Sequence, residues 1–294
     1  MPELPEVETI RRQLEPELLG RRIESFEVLD ERFARPHSPA DLEAAAASRL
    51  ILGFRRRGKY MLLDLEGGTT VLLHLRMTGN LRLQPAARAG TGEPPPQHLR
   101  AIVHLDGGDA LLFTDARRFG HGEAVATAEL EAHFADRLGV EPLSPEFTPE
   151  RLGELAAGRR APLKSFLLAQ GAVAGIGNIY ADEALHRAGL HPLSPAGSMK
   201  PEHQAALRDG IVAALEAGLD NGGASIDDYR DARGMRGEMQ DEFLVHRREG
   251  EECPRCGAGI ERIVVSGRST YYCPQCQVRL RKRPRRRVRR GRQP

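Results

Sequence analysis

The chain has 294 residues, 40% of them hydrophobic, enough for a sizeable core and for about two domains. No run approaches the roughly 18 uncharged apolar residues that span a bilayer. Pro-Glu-Leu-Pro-Glu after Met1 lacks the basic start and apolar segment of a secretion signal, so a globular cytoplasmic protein with no membrane partner is expected. The formal charge of +2 hides an asymmetry, because ten of the 43 Lys and Arg residues fall between Arg279 and Arg292, leaving 33 bases against 41 acids elsewhere. Contact with phosphates therefore needs local basic patches and the C-terminal tail.

The start reads as a helix: Pro5 suits a first turn, Glu6 and Glu8 face its positive end, and Val7, Ile10 and Leu14 form an apolar stripe. Pro16 limits that helix and Gly20 marks its exit. Short runs over 23–29, 50–54, 60–65, 70–75, 102–105 and 110–113 predict strands, with Gly67-Gly68 and Gly107-Gly108 as hairpin turns, and so a β-sandwich or barrel. The Pro-rich stretch 85–97 predicts an exposed loop or hinge. A boundary is expected over 138–148, which closes a first unit at residue 137. Helices are predicted over 149–157, 162–170, 178–188 and 201–219, the third stopped by Gly189, in a unit spanning 149–226. Charge and glycine over 227–250 predict a mobile loop, and 279–294 a disordered basic tail. The fold class is therefore α+β with two domains.

All four cysteines lie in the segment 251–278. Cys253-x-x-Cys256 and Cys273-x-x-Cys276, sixteen residues apart, have the spacing of a zinc ribbon with one closed, structural Zn2+; free thiols or disulfides are the disfavoured alternative. Strands 263–265 and 270–272 would carry a tip of Ser266, Gly267, Arg268 and Ser269, and a tip arginine suits phosphate oxygens. At the other end, removal of Met1 would expose the secondary amine of Pro2. An α-amino group has a pKa of about 8 against about 10.4 for lysine, so more of it is neutral and nucleophilic. Glu3 and Glu6 stand near enough in sequence to move protons, although taken alone this segment reads as an ordinary helix start with solvated acids.

Six islands in order change that reading: P-E-L-P-E-V-E at 2–8, R-G-K-Y at 57–60, H-L-R-M-T-G at 74–79, T-D-A-R-R-F-G at 114–120, G-I-G-N-I-Y-A-D-E at 175–183, and the cysteine hairpin with Arg268. Together they resemble the formamidopyrimidine-DNA glycosylase family, relatives of endonuclease VIII, from Pro2 to Gln277. The resemblance implies an N-terminal helix and β-sandwich joined by a hinge to a helix-two-turn-helix domain and a zinc finger. It implies a monomer acting on double-stranded DNA that contains oxidised bases or abasic sites.

On that resemblance Pro2 attacks the sugar C1′, Glu3 protonates the opened sugar oxygen, and Glu6 and Lys59 complete the catalytic set. An imine then allows elimination at both flanking phosphates. Met77 fills the gap left by an extruded nucleotide, Phe119 buckles the next step and Arg117 reads the orphaned base. Asn178 at a helix start, Lys59 and Arg268 grip the backbone, because free amides behind Gly175-Ile176-Gly177 suit phosphate. Lys164 lies near the damaged base. Arg100 takes a phosphate contact where the family more often has histidine. The tail attaches nonspecifically to DNA.

Over 234–246 the sequence departs from the pattern G-Y-F-Q and a later tyrosine of members specialised for 8-oxoguanine, placing Glu238, Met239 and His246 where those carry aromatics. Oxidised purines are the expected substrates. An endonuclease VIII-like preference for oxidised pyrimidines, or a noncatalytic zinc-ribbon DNA-binding protein, are the alternatives.

Overall fold

Helix α1 (Leu4–Leu18) opens at Glu3, whose amide donates to Glu6 Oε2, and Pro5 sits in its first turn. A computed structural model describes residues 2–88, 94–226 and 228–281 of the chain; the predicted tail beyond Arg281 and part of the Pro-rich loop lie outside them. Pro16 does not end α1, which runs two residues further to Leu18. Val7, Ile10, Leu14 and Leu18 on its apolar stripe hold that last turn in the sandwich core, against the loss of one backbone hydrogen bond.

The sandwich has two antiparallel four-stranded sheets. One has the order β1 (Ile23–Val28), β6 (Leu99–Leu105), β7 (Ala110–Asp115), β5 (Gly79–Gln84); the other β2 (Ile51–Arg57), β3 (Tyr60–Leu65), β4 (Thr69–His74), β8 (His121–Ala126). Phe26, Leu81, Val103 and Phe113 from the first interdigitate with Phe54, Met61, Leu63 and Val71 from the second. Both expected glycine hairpins form, joining β3 to β4 and β6 to β7. The sequence reading missed β5 and β8. Both are edge strands, and runs such as His-Gly-Glu-Ala carry little β propensity of their own. It also missed two short helices, α2 (Pro39–Ala46) and α3 (Leu130–Ala135); the second packs Leu130 and Phe134 against Leu62 and Leu72 on the outer face of β3 and β4.

The second unit packs α4 (Pro149–Ala156), α5 (Leu163–Leu168), α6 (Asn178–Arg187) and α7 (Pro201–Asp220) around Phe147, Phe166, Tyr180 and Leu215. Leu4 belongs to this core while the rest of the α1 stripe belongs to the sandwich, so one helix joins both. Of the segment 227–250, expected to be mobile, residues 228–250 are described and are packed along much of their length. Met239, Phe243, Val245 and His246 are buried, and the amides of Leu244, Val245 and His246 all donate to the buried carboxylate of Glu183. Charge density concealed these anchors, because the charged residues alternate with the buried ones. The last hairpin pairs β9 (Glu261–Val265) with β10 (Arg268–Tyr272) through the two-residue turn Ser266-Gly267. Arg268 is thus the first residue of β10, opposite Val265, and not part of the turn.

Candidate active site and zinc centre

Three segments distant in sequence meet at the amino terminus. Glu6, fully buried, accepts the hydroxyl of Tyr180 at 2.7 Å and the amide of Ala224 at 2.8 Å on Oε1. Burial, and then the neighbouring Glu3 carboxylate, push its carboxyl above the usual range against the pull of those hydrogen bonds. Glu3 turns its carboxylate to the start of α6, accepting the amides of Gly177 at 2.8 Å, Ile179 at 3.0 Å and Tyr180 at 3.3 Å. These are the free amides that the sequence suggested for phosphate. They form an anion site at the positive end of a helix, and the protein's own Glu3 occupies it. The two glycines serve the same docking: a Cβ on Gly177 would fall 2.3 Å from Glu3 Cδ, and one on Gly175, at φ +83°, 2.7 Å from Leu4.

Pro2 is thereby fixed at the wall of a cavity of about 310 Å3 that Glu3, Met77, Asn178, Arg268 and His246 also line. Asn178 and Arg268 face a second cavity of about 490 Å3 as well, where Lys59 and His74 sit. Lys59 is 6% exposed and makes no hydrogen bond or ion pair among the described residues. Burial pushes its amine below the ordinary lysine range; Glu3 and Glu6 pull it back up and Arg268 pushes it further down. Such an amine can both give and take a proton. Asn178 Nδ2 donates to Ser269 O at 3.0 Å, tying α6 to β10, while its Oδ1 is buried without a partner.

Met77 lies in a turn joined to the loop bearing Arg117 and Phe119. The Thr78 hydroxyl donates to the buried Asp115 carboxylate and accepts the Arg117 amide at 3.1 Å. Asp115 also accepts the amides of Phe119 at 2.8 Å and Gly120 at 2.7 Å. Phe119 is left 53% exposed, with the Arg117 guanidinium 4.9 Å over its ring. A large apolar side chain held out on an ordered loop has the form of a wedge.

The four cysteine Sγ atoms lie within 4.8 Å of one another, with Cys253 to Cys276 at 3.9 Å and Cys256 to Cys273 at 3.5 Å. A tetrahedral zinc with bonds of about 2.3 Å needs sulfurs about 3.8 Å apart, so the set fits one structural Zn2+ with no position left for substrate. Those separations are far too long for disulfides.

Profiles of three families match the chain in succession: the formamidopyrimidine-DNA glycosylase N-terminal domain over residues 1–122, the formamidopyrimidine-DNA glycosylase H2TH domain over 138–230, and the zinc finger found in FPG and IleRS over 250–278. A formamidopyrimidine-DNA glycosylase of Roseiflexus sp. (strain RS-1) is 47% identical over 94% of this chain and 100% of its own length. The chain belongs to the formamidopyrimidine-DNA glycosylase family. The enzyme of that name from Gluconobacter oxydans is 45% identical at 94% and 100% coverage. Among solved structures, a Lactococcus lactis FPG mutant with a Fapy-dG containing DNA superposes at TM-score 0.86, with 34% identity over 94% of this chain and 99% of that one. The Lactococcus lactis Fpg with an abasic site containing DNA gives 0.85 at 34% identity, covering 94% and 100%.

In this member of the formamidopyrimidine-DNA glycosylase family two residues of the expected DNA-contact set are engaged by the protein itself. Lys164, expected near the damaged base, is fully buried under α6, with Nζ 2.5 Å from Asp182 Oδ1 and 2.9 Å from Asn178 O. Arg100, expected on phosphate, donates from Nε to Asp115 O at 2.9 Å and faces Asp30 at 3.8 Å, which turns it into the fold. Sequence reasoning also passed over Asp115 and Asp182, though both stand inside quoted islands. The signal was present for each: Asp115 starts a turn whose amides need an acceptor, and Asp182 shares a helix face with Asn178 at i+4.

Proposed function

We propose that the chain is a bifunctional DNA glycosylase and lyase of base-excision repair that removes oxidised purines from duplex DNA through an imine on Pro2. The neutral Pro2 nitrogen forms a bond to C1′ of an extruded nucleotide as the glycosidic bond breaks and the base leaves with a proton. The ring oxygen of the sugar takes a proton as the ring opens. The resulting iminium draws electrons from the C2′–H bond, so that hydrogen is lost to a base and the 3′ phosphate leaves; a second elimination expels the 5′ phosphate.

Lys59 is the proton carrier of these steps, and Arg268 and Asn178 hold the backbone beside the sugar. Glu6 fixes the turn that presents Pro2. Met77, Arg117 and Phe119 fill the vacated stack. A zinc on the four cysteines keeps β10, and with it Arg268, at the cavity. Action as a monomer on the nucleoid belongs to the same reading.

The docking of Glu3 onto α6 carries this proposal, because it brings Pro2 to one cavity wall with Met77, Asn178 and Arg268. Borohydride trapping on an abasic duplex tests it. A covalent adduct in the wild type that Pro2→Gly abolishes is expected; a noncatalytic DNA-binding protein gives none. A second reading draws on a neighbouring structure, wild-type Lactococcus lactis FPG with an oxidised pyrimidine containing DNA. Excision rates on 8-oxoguanine, formamidopyrimidine and thymine glycol duplexes separate the two preferences.

A further inference from the structure

His246 lines the Pro2 cavity, yet no step proposed above uses it. Its placement is fixed from three sides. The His246 amide donates to Glu183 at 3.0 Å, its Nδ1 lies 2.8 Å from Asp182 Oδ2, and its ring meets Phe243 and Tyr271 edge-on at 5.3 and 5.2 Å. Asp182 is wholly buried and its other oxygen is the partner of Lys164. A carboxylate facing an ammonium only accepts, so the hydrogen-bond partners assign the imidazole proton to Nδ1. Nε2 of the neutral ring is then an acceptor. It makes no hydrogen bond among the described residues and is not among the buried unpartnered atoms, and His246 lines the Pro2 cavity as well as a neighbouring one with Gln240 and Phe243, so this acceptor is left for a ligand.

A fixed acceptor beside the nucleophile discriminates between bases by their donors. Guanine presents a lone pair at N7, which opposes the lone pair of Nε2. Oxidation to 8-oxoguanine places a hydrogen on N7, and ring opening to a formamidopyrimidine places one on the formamide nitrogen. We propose that His246 is a specificity-determining residue that accepts such an N–H from the extruded base, with Asp182 and Lys164 as positioning residues behind it. This assigns Lys164 an indirect part in lesion reading from its buried position. The proposal rests on the Pro2 reading and deepens it.

The test is a ratio measured on the intact, zinc-loaded protein: single-turnover excision of 8-oxoguanine divided by borohydride trapping on an abasic duplex, which has no base to read. His246→Phe removes the acceptor and is expected to lower the ratio about tenfold or more, the effect of one lost hydrogen bond. His246→Gln, whose amide offers an oxygen, is expected to fall between, and it serves as the readout if the Phe variant does not melt like the wild type. An unchanged ratio overturns the proposal, whether both rates hold or both fall together. Absence of trapping in the wild type overturns the Pro2 reading instead.

Discussion

Glu3 Oε1 accepts the backbone amide of Ile179 at 3.0 Å across 176 residues of sequence. The residue beside the proposed nucleophile is therefore also the N-terminal anion of α6. With Oε2 on Gly177 and Tyr180, the carboxylate locks α1 of the first unit onto the second at the point where Pro2 must be held still. Proton delivery to the sugar, the part that the family resemblance suggested for Glu3, competes with that lock, because a carboxylate that turns away from α6 leaves buried amides without an acceptor.

Glu3→Gln keeps the size of the side chain but turns an NH2 toward amides that need an acceptor. A loss of about 1–3 kcal/mol in stability is expected, together with a fall in imine trapping. Thermal unfolding and borohydride trapping report the two effects; an unchanged melting temperature would mean that the carboxylate is not the anchor of α6.

Lys59 makes a prediction about pH. Burial depresses its folded pKa, so it contributes stability above its ordinary value, and that contribution is lost as pH falls through the depressed one. Near neutrality Lys59→Met should therefore be at least as stable as the wild type, while strand scission falls about 100-fold or more. If the amine takes up the proton in scission, the rate rises with pH through its depressed pKa. Arg268 is one cause of that depression, so Arg268→Ala should move the limb to higher pH as well as slow the reaction. A limb that stays in place in Arg268→Ala would exclude Lys59 as its source.

Glu141 latches the segment between the units to the turn that carries Lys59. Its carboxylate accepts Arg56 at 2.8 Å and Arg57 at 2.9 Å, and the Gly58 amide as well, while Arg56 also holds Glu8 of α1. Burial works against its charge, but Arg56, the Gly58 amide and Arg57 together keep the carboxyl below its ordinary range. The sign is that of a depressed acid: stability is present above the unfolded pKa of 4.5 and lost as pH falls through the lower folded value. Glu141→Gln should cost about 2 kcal/mol at neutral pH and flatten the acid side of the stability curve, which melts at graded pH would reveal.

Zinc removal should act at a distance. A chelator releases the fold of the hairpin, and with it the Ser269 carbonyl that holds Asn178 and the strand that starts at Arg268. One zinc per chain by elemental analysis, and loss of DNA binding and trapping on chelation while most helical circular dichroism remains, are the expected results. Retained trapping after complete zinc loss would show that the hairpin does not position Arg268.

The sequence by itself determined the parts whose physics is local. Paired thiolates at a turn, glycine pairs between apolar runs, and a proline-led amphipathic helix carry their conformation in neighbouring residues. The six islands identify the family in the same way, by order along the chain. Only the tertiary structure decided where charges go. Whether the amides behind Gly175-Ile176-Gly177 bind a phosphate or Glu3, whether Lys164 is a surface cation or a buried partner of Asp182, and whether Arg100 stands free or beside Asp30 all depend on groups more than a dozen residues away. A charged side chain has little local preference for its partner, and the desolvation that forces the choice exists only once the two units have closed around α1.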